Sequence, residues 1–255
     1  MRTTRMRRLA ALGRAEATLL WRNRSAAFMA LAMPLIMIYA MHSTTARMHL
    51  GKIGMTATAV SVTGGIGMIL VLVVYANLVP AYVTRREQLV LKRLRTGEPT
   101  DLEILTGTAL PAVVVALAQC AALVVAGTAV LDLSAPQRPE LLLLGAALGI
   151  PLMVACAAVT TVVTRSAEVA QLTTMPLWMI TLAGSGLFVP LEIMPHQLAD
   201  VCRLLPMTPV VDLFRTGWLG GADAMRVVRD VLTAGVWLGV AGWAVRRWFR
   251  WEPRR

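Results

Sequence analysis

Residues Met55–Val83 read MTATAVSVTGGIGMILVLVVYANLVPAYV, and the fold class turns on them. These 29 positions hold no Asp, Glu, Lys or Arg. A helix crosses the roughly 30 Å hydrocarbon core of a bilayer with about 20 apolar residues, at about 1.5 Å each. A soluble helix of this length would need a charged stripe along one side, and this one has only Ser, Thr, Tyr75, Asn77 and Tyr82 as polar positions. The continuation, Thr84-Arg85-Arg86-Glu87-Gln88-Leu89-Val90-Leu91-Lys92-Arg93-Leu94-Arg95-Thr96-Gly97, abruptly gathers basic residues. A span that ends in a basic connection is the unit from which the rest of the chain is read.

Outward from this unit, apolar stretches at Ala26–Met41, Ile104–Leu131, Leu141–Val163, Val169–Val189 and Val228–Val245 bring the expected spans to six. The first is short, so His42-Ser43-Thr44-Thr45 extends it or the bilayer thins around it. None carries a charged residue in its middle, where a lone helix would find one costly. Composition agrees. The 255 residues are 57% apolar and 15% charged, with a mean hydropathy of +0.65, against about 45–50% and about 25% in soluble domains. That balance disfavours soluble enzymes, disordered chains and fibrous repeats. The expectation is an all-α integral membrane protein with six transmembrane helices, an N-terminal interfacial helix, a short cytoplasmic helix, and external proline-bounded half-helices before the last span.

The net charge of +11 fits nucleic acid or anionic lipid until the cations are placed. Eighteen of the 25 lie before the first span, in the second and fourth connections, or after the last span. Seven, among them Arg138, Arg203, Arg215, Arg226 and Arg229, lie on the other side. The positive-inside rule puts both termini in the cytoplasm and makes the excess topological, so no nucleic-acid partner is needed. Residues 1–25 form a cytoplasmic N-terminus with the interfacial helix, residues 26–245 the membrane domain, and residues 246–255 a basic cytoplasmic tail. Leu9, Leu12, Ala15, Leu19 and Leu20, with arginines opposite, give the interfacial helix its apolar face. A cleaved signal peptide is disfavoured, because no A-x-A-like site comes after the first apolar run and five more spans do.

Thr84 and Glu87 have the spacing of a capping box, and Gly97 with Pro99 suits a helix stop. The enclosed helix is amphipathic and basic, with Val90, Leu91 and Leu94 on one face. A solvated loop that only fixes topology and a lever that docks a cytoplasmic partner both fit it. On the external side, prolines bound a three-turn stretch, His196–Leu205, with Leu198, Val201, Leu204 and Leu205 along one side. A hairpin half-inserted in the outer leaflet fits, as does a surface loop with a buried apolar stripe. Gly184-Ser185-Gly186 is placed to loosen the end of the fifth span. Within the spans, Tyr75, Asn77 and Gln119 suit interhelical hydrogen bonds more often than ligand contacts. Met175, Trp178 and Met179 line an apolar pocket or face lipid.

Other chemistry is not visible. Cys120, Cys156 and Cys202 form no metal or disulfide pattern, and His42, His49 and His196 have no partner at ligand spacing. No catalytic or metal site is expected. Gly51-Lys52 lacks the glycine of a phosphate loop, Ala46 standing in its place. A self-powered carrier predicts internal repeats and charged or broken midplane helices, and neither is evident. Uphill transport would draw its energy from another chain. A non-transporting scaffold or immunity protein is the remaining alternative.

The ordered set of features resembles the permease subunit of ABC-2 type ATP-binding-cassette exporters, in particular the drug and antibiotic efflux group with the daunorubicin-resistance permeases. The resemblance runs through Arg22-Asn23-Arg24 and Pro34, Arg85-Arg86-Glu87 with Leu91-Lys92-Arg93-Leu94-Arg95, Pro195 with Leu198, and Leu205-Pro206-Met207-Thr208-Pro209-Val210-Val211 before Phe214-Arg215. The family often has Glu-Arg-Glu and a glycine in the cytoplasmic segment. Here Thr84 takes the first acidic position, and Leu89 or Val90 stands where small residues are common. The resemblance implies a dimer, with an identical or a related copy, over separate ATPase subunits that hold the ATP and magnesium. It implies no cofactor bound to this chain itself. It makes Arg85–Thr96 the coupling helix, with Arg85, Arg86, Glu87, Val90, Leu91, Arg93, Leu94 and Arg95 meeting the ATPase. It makes Pro195, Leu198, Pro206 and Pro209 part of an external gate, and it routes cargo between protomers past spans two and five, near Tyr75, Asn77, Met175, Trp178 and Met179. The cargo implied is a hydrophobic or amphipathic compound leaving across the plasma membrane; lipid and polysaccharide exporters share the architecture.

Overall fold

A computed structural model describes Ser43 and residues 55–97, 99–129, 131, 133–221 and 223–252. The expected N-terminal interfacial helix and the first span lie outside the described residues. All regular structure among the described residues is helical. Four helical stretches are long and apolar enough to cross a membrane: Ala57–Glu87, Asp101–Ala129, Pro139–Val163 and Ala224–Trp248.

The first of these is not one uniform helix. Thr56 caps it, its Oγ1 accepting the Ala59 N–H at 3.1 Å. It runs as α1 (Ala57–Ile69), widens to π geometry over Leu70–Ala76, and resumes as α2 (Asn77–Glu87). The widening ends where the Pro80 ring would otherwise meet the Ala76 carbonyl, four residues back. Asn77 Nδ2 donates to the Val73 carbonyl at 3.2 Å, satisfying a group inside the widened turn. After α2 come α3 (Val90–Arg95), α4 (Asp101–Ala129) and α5 (Pro139–Val163). α6 (Ala167–Gly184) has 18 residues, about 27 Å of rise, and stops at the Gly184-Ser185-Gly186 turn, where Gly186 has φ +73°.

Beyond Gly186 the chain forms short helices before the last span, not an irregular surface loop. A short 3-10 turn (Leu191–Ile193) leads to α7 (His196–Arg203), and then α8 (Thr208–Leu219) turns into the protein before α9 (Ala224–Trp248). Every residue from Thr208 to Trp218 is buried. α8 packs against α5, α1 and α9, so it is the centre of the bundle and not a surface element. The approach is close. A Cβ on Gly149 would sit 2.7 Å from Val210 Cγ1 and 2.8 Å from Leu70 Cδ1, and one on Gly145 would sit 2.7 Å from Phe214. In an apolar solvent, burial of Val210, Leu213, Phe214 and Trp218 gains little from water release, so this packing depends on fit between surfaces. At its far end, the Gly217 carbonyl accepts the Arg138 N–H at 2.9 Å and the Trp218 carbonyl accepts the Gln137 N–H at 3.3 Å. These bonds place the start of α5 and the end of α8 at one end of the bundle.

α7 does not bury its apolar stripe as a surface loop would. Ala199 and Cys202 face inward, while Leu198, Val201 and Leu204 are 52–68% exposed. The apolar stripe points away from the protein, which suits a short helix whose surroundings are not water.

Candidate functional site

The elbow between α2 and α4 is held from behind. Arg86 is 1% exposed, not a surface contact as expected from its place in the basic run. Its Nη1 donates to the Thr161 carbonyl at 2.8 Å, and its Nη2 to the Thr164 carbonyl at 2.6 Å and the Arg165 carbonyl at 3.4 Å. Those are the orphan carbonyls at the C-terminus of α5, where a cation also meets the negative end of the helix dipole. Glu87 does the converse, its Oε1 accepting the Ala167 N–H at 3.2 Å where α6 begins. Ser166, the residue in the capping position, makes no side-chain cap bond. One dipeptide thus satisfies the end of one helix and the start of the next.

The expected capping box at Thr84 and Glu87 is therefore not formed. Thr84 is inside α2, its carbonyl accepting the Gln88 N–H at 2.9 Å, and the helix stops at Leu89, which is left-handed (φ 58°). Leu89, not Gly97, is the left-handed residue of the elbow. A side chain in that conformation costs roughly 1–2 kcal/mol relative to glycine. The box forms one helix later, where the Thr100 N–H donates to Glu103 Oε2 at 2.9 Å and the Glu103 N–H to Thr100 Oγ1 at 3.4 Å. Sequence spacing is identical, but only the second pair stands where a helix starts.

α3 then divides its residues by face. Leu91 is 0% exposed and anchors the helix inward, a correction to its expected docking role. Lys92, Arg93 and Arg95 are exposed; Arg85, Val90 and Leu94 are half-buried. Lys92 Nζ lies 2.9 Å from Glu252 Oε1, and Arg95 Nε lies 3.1 Å from Asp101 Oδ1. Both pairs are largely exposed and worth about 0–1 kcal/mol each. The tail turns back here: Phe249 packs edge-on to Tyr82, Trp251 lies against Phe249, and the Arg95 guanidinium is 4.9 Å from the Trp251 ring centre. The surface that remains is basic with an apolar seam.

The residues expected along a substrate path separate. Tyr75 is buried, its hydroxyl 3.2 Å from Thr160 Oγ1 and donating to the Thr174 carbonyl at 3.4 Å, so it ties the π segment to α5 and α6. Asn77 is exposed, and its amide serves its own helix. On α6, Met175 and Met179 are more than half exposed and share an outward stripe with Leu172, while Trp178 is half-buried. Of the expected gate residues, Pro195 and Leu198 are exposed, whereas Pro206 and Pro209 are buried where the chain enters α8.

Sequence reading missed a charged network at the opposite end. Arg215, 4% exposed, donates from Nη2 to the Gly186 carbonyl at 2.7 Å. Its Nη1 lies 3.8 Å from Glu192 and 3.9 Å from Asp212. Arg226, from α9, reaches Glu192 at 3.0 Å and Asp212 at 3.9 Å, and Arg229 pairs with Asp230 at 3.3 Å. Burial alone would raise the Glu192 carboxyl, but its backbone hydrogen bond, Arg226 and Arg215 hold it below its ordinary value. A cavity of about 490 Å³ opens beside it, lined by Glu192, Arg203, Asp223, Met225, Arg226 and Arg229. The i,i+3 spacing of Asp212 and Arg215 between Pro209 and Gly220 was the signal available in the sequence.

The family model described as "ABC-2 family transporter protein" matches residues 30–245. The chain belongs to this family, whose membrane subunits are transport components that normally work with a separate ATPase subunit. Comparison with curated proteins gives no match.

Proposed function

We propose, from its membership of the ABC-2 transporter family, that the chain is the permease subunit of an exporter that moves a hydrophobic or amphipathic compound, such as a drug or antibiotic, out across the plasma membrane. The elbow carries this reading. α3 presents Lys92, Arg93 and Arg95 around Val90 and Leu94, and is braced from behind by Arg86, Glu87 and Leu91. A basic rim around an apolar seam fits a groove on a separate ATPase, as a helix-in-groove contact does. With the elbow in the cytoplasm by the positive-inside rule, the charged network and α7 take the outer side. ATP-driven closure of the ATPase pair presses on α3 and shifts the packing of the spans between two states. Arg86 and Glu87 pass the load to the end of α5 and the start of α6 at once. The outward stripe of Leu172, Met175 and Met179, facing a second permease copy, offers an apolar wall to a cargo that partitions from the membrane.

The test is co-purification with the ATPase from native membranes, with ATP turnover and a resistance assay over a compound panel. Val90→Asp with Leu94→Asp alters the outward seam while leaving Leu91 in place, and reduces ATPase recovery at least about tenfold, the change expected from loss of roughly 1.4 kcal/mol. Full assembly and turnover in that variant would remove the coupling assignment. A panel in which only lipid or polysaccharide export depends on the chain would replace the cargo class and leave the coupling intact.

A further inference from the structure

The span that continues directly into α3 is poorly built to carry a push. Between α3 and the far end of that span lie the left-handed Leu89, Pro80 within α2, and seven residues of π geometry. Each is a place where a helix bends or changes pitch under load. α9 is built otherwise. It runs from Ala224 to Trp248 as one α-helix without proline, about 37 Å long by its rise. Of its fully buried residues, Asp230, Ala234, Ala241 and Ala244, three are alanines, and the larger Trp237, Leu238 and Val245 that pack against the core are only partly buried.

One end of α9 is tied to the charged network and the other to the elbow. At the first, Arg226 reaches Glu192 and Asp212, joining α9 to the 3-10 turn and to α8. At the second, the chain leaves the helix and folds back over α3. Phe249 meets Tyr82 with ring centres 6.4 Å apart, and Tyr82 is itself fixed by a 2.9 Å hydrogen bond to the Leu105 carbonyl of α4. Trp251 packs on Phe249 at 4.9 Å and beneath the Arg95 guanidinium, and Glu252 pairs with Lys92 at 2.9 Å. Two of the residues gripped, Lys92 and Arg95, belong to α3 itself.

We propose that Phe249, Trp251 and Glu252 clasp α3 to the last helix, and that α9 is the rod that carries movement of α3 to the charged network and its cavity at the opposite end. The inference rests on α3 as the ATPase contact and goes beyond it by assigning the route and the positioning residues. Motion enters at Arg95 and Lys92, passes through the Trp251 and Phe249 rings into α9, and emerges at Arg226. There a small axial shift lengthens or shortens its bonds to Glu192 and Asp212, which decide how firmly α8 and the 3-10 turn are held.

The test uses the full-length permease in lipid nanodiscs, with native cysteines replaced by alanine and a single cysteine at Met225→Cys, on the cavity wall, or at Glu140→Cys, an exposed site at the start of α5. The rate of labelling by a membrane-impermeant maleimide is measured for each. Trp251→Ala and Glu252→Lys each change the Met225→Cys rate by about fivefold, the lower end of allosteric coupling, and leave the Glu140→Cys rate as it was. Combining Lys92→Glu with Glu252→Lys brings the rate back to within about twofold, as a direct pair requires. Unchanged Met225→Cys rates overturn the rod, and so does an equal change at Glu140→Cys, which signals general loosening. Loss without recovery in the charge swap overturns the clasp. No ATPase enters this measurement, so its failure is distinguishable from a failure of the permease to bind an ATPase.

Discussion

The two ends of the bundle hold charge in opposite ways. At the elbow, Arg86 is a buried cation whose described partners are backbone carbonyls, at 2.6–3.4 Å, in fixed positions at a helix end. At the other end, Arg215 also donates to one backbone carbonyl, that of Gly186 at 2.7 Å, but guanidiniums and carboxylates from three segments meet there at 3.0–3.9 Å, several pairs beyond hydrogen-bond length. A short bond to a rigid dipole has one good geometry. Longer ion pairs shared among several groups have many of similar energy, so they can exchange partners at little cost. The first arrangement makes a platform, and the second makes a latch.

The largest effect bearing on this contrast is expected at the latch. Arg215→Met strands Asp212 and Glu192 beside Arg226 alone and is expected to lower stability by about 3–5 kcal/mol, read as a melting-temperature drop in detergent. Arg215→Met with Asp212→Leu is expected to recover most of that loss, since an apolar pair of similar volume removes the stranded charge. At the platform, Arg86→Ala costs about 3 kcal/mol, because it leaves the carbonyls of Thr161 and Thr164 unsatisfied. Because Thr161 and Thr164 accept through their backbones, Thr161→Val or Thr164→Val should not restore it. Recovery at both ends, or at neither, would erase the distinction.

Two smaller effects refine it. Leu89→Gly relieves a left-handed side chain and is expected to stabilise the elbow by up to about 1 kcal/mol, after the greater freedom of glycine in the unfolded chain. A rigid platform should show this as higher melting temperature without loss of ATPase recovery. The least effect concerns pH. Glu192 titrates below its ordinary value when folded, so its contribution is present above the unfolded pKa of about 4.3 and disappears as pH falls through the lower folded value. Taken as a ratio to the Glu140→Cys rate, which cancels the loss of thiolate as pH falls, labelling of Met225→Cys should therefore rise through Glu192 only below the ordinary carboxylate range, whereas Asp212, its buried carboxyl pushed up to about 6, acts nearer neutrality. A rise already near neutrality would move control of the latch away from Glu192.

Four of the six expected spans coincide with long apolar helices, legible because lipid imposes length and apolarity on each segment by itself. Asp101–Ala129 and Pro139–Val163 fall within three residues of their expected limits, Ile104–Leu131 and Leu141–Val163. α8 was not legible. Pro209 near its start and Gly220 after its end were readable signals, yet twelve residues are too few to span, and Asp212 and Arg215 read as surface. Arg86 and Leu91 were assigned to a docking face because amphipathic spacing shows which residues share a side, not which side faces inward. Two Thr-x-x-Glu pairs stand in the chain within twenty residues, and only the position of Thr100 after a break makes the second a cap.

The solvent, the helical class, four of the spans and the basic elbow could all be read from the amino-acid order, since each depends on the composition of a contiguous segment. It took the packed helices to establish that Arg86 closes α5, that Glu87 opens α6, that α8 fills the centre, and that the tail returns to Lys92 and Arg95. Those pairings join residues up to about 160 positions apart. Their energy exists only once the helices have met, so no local pattern could record it.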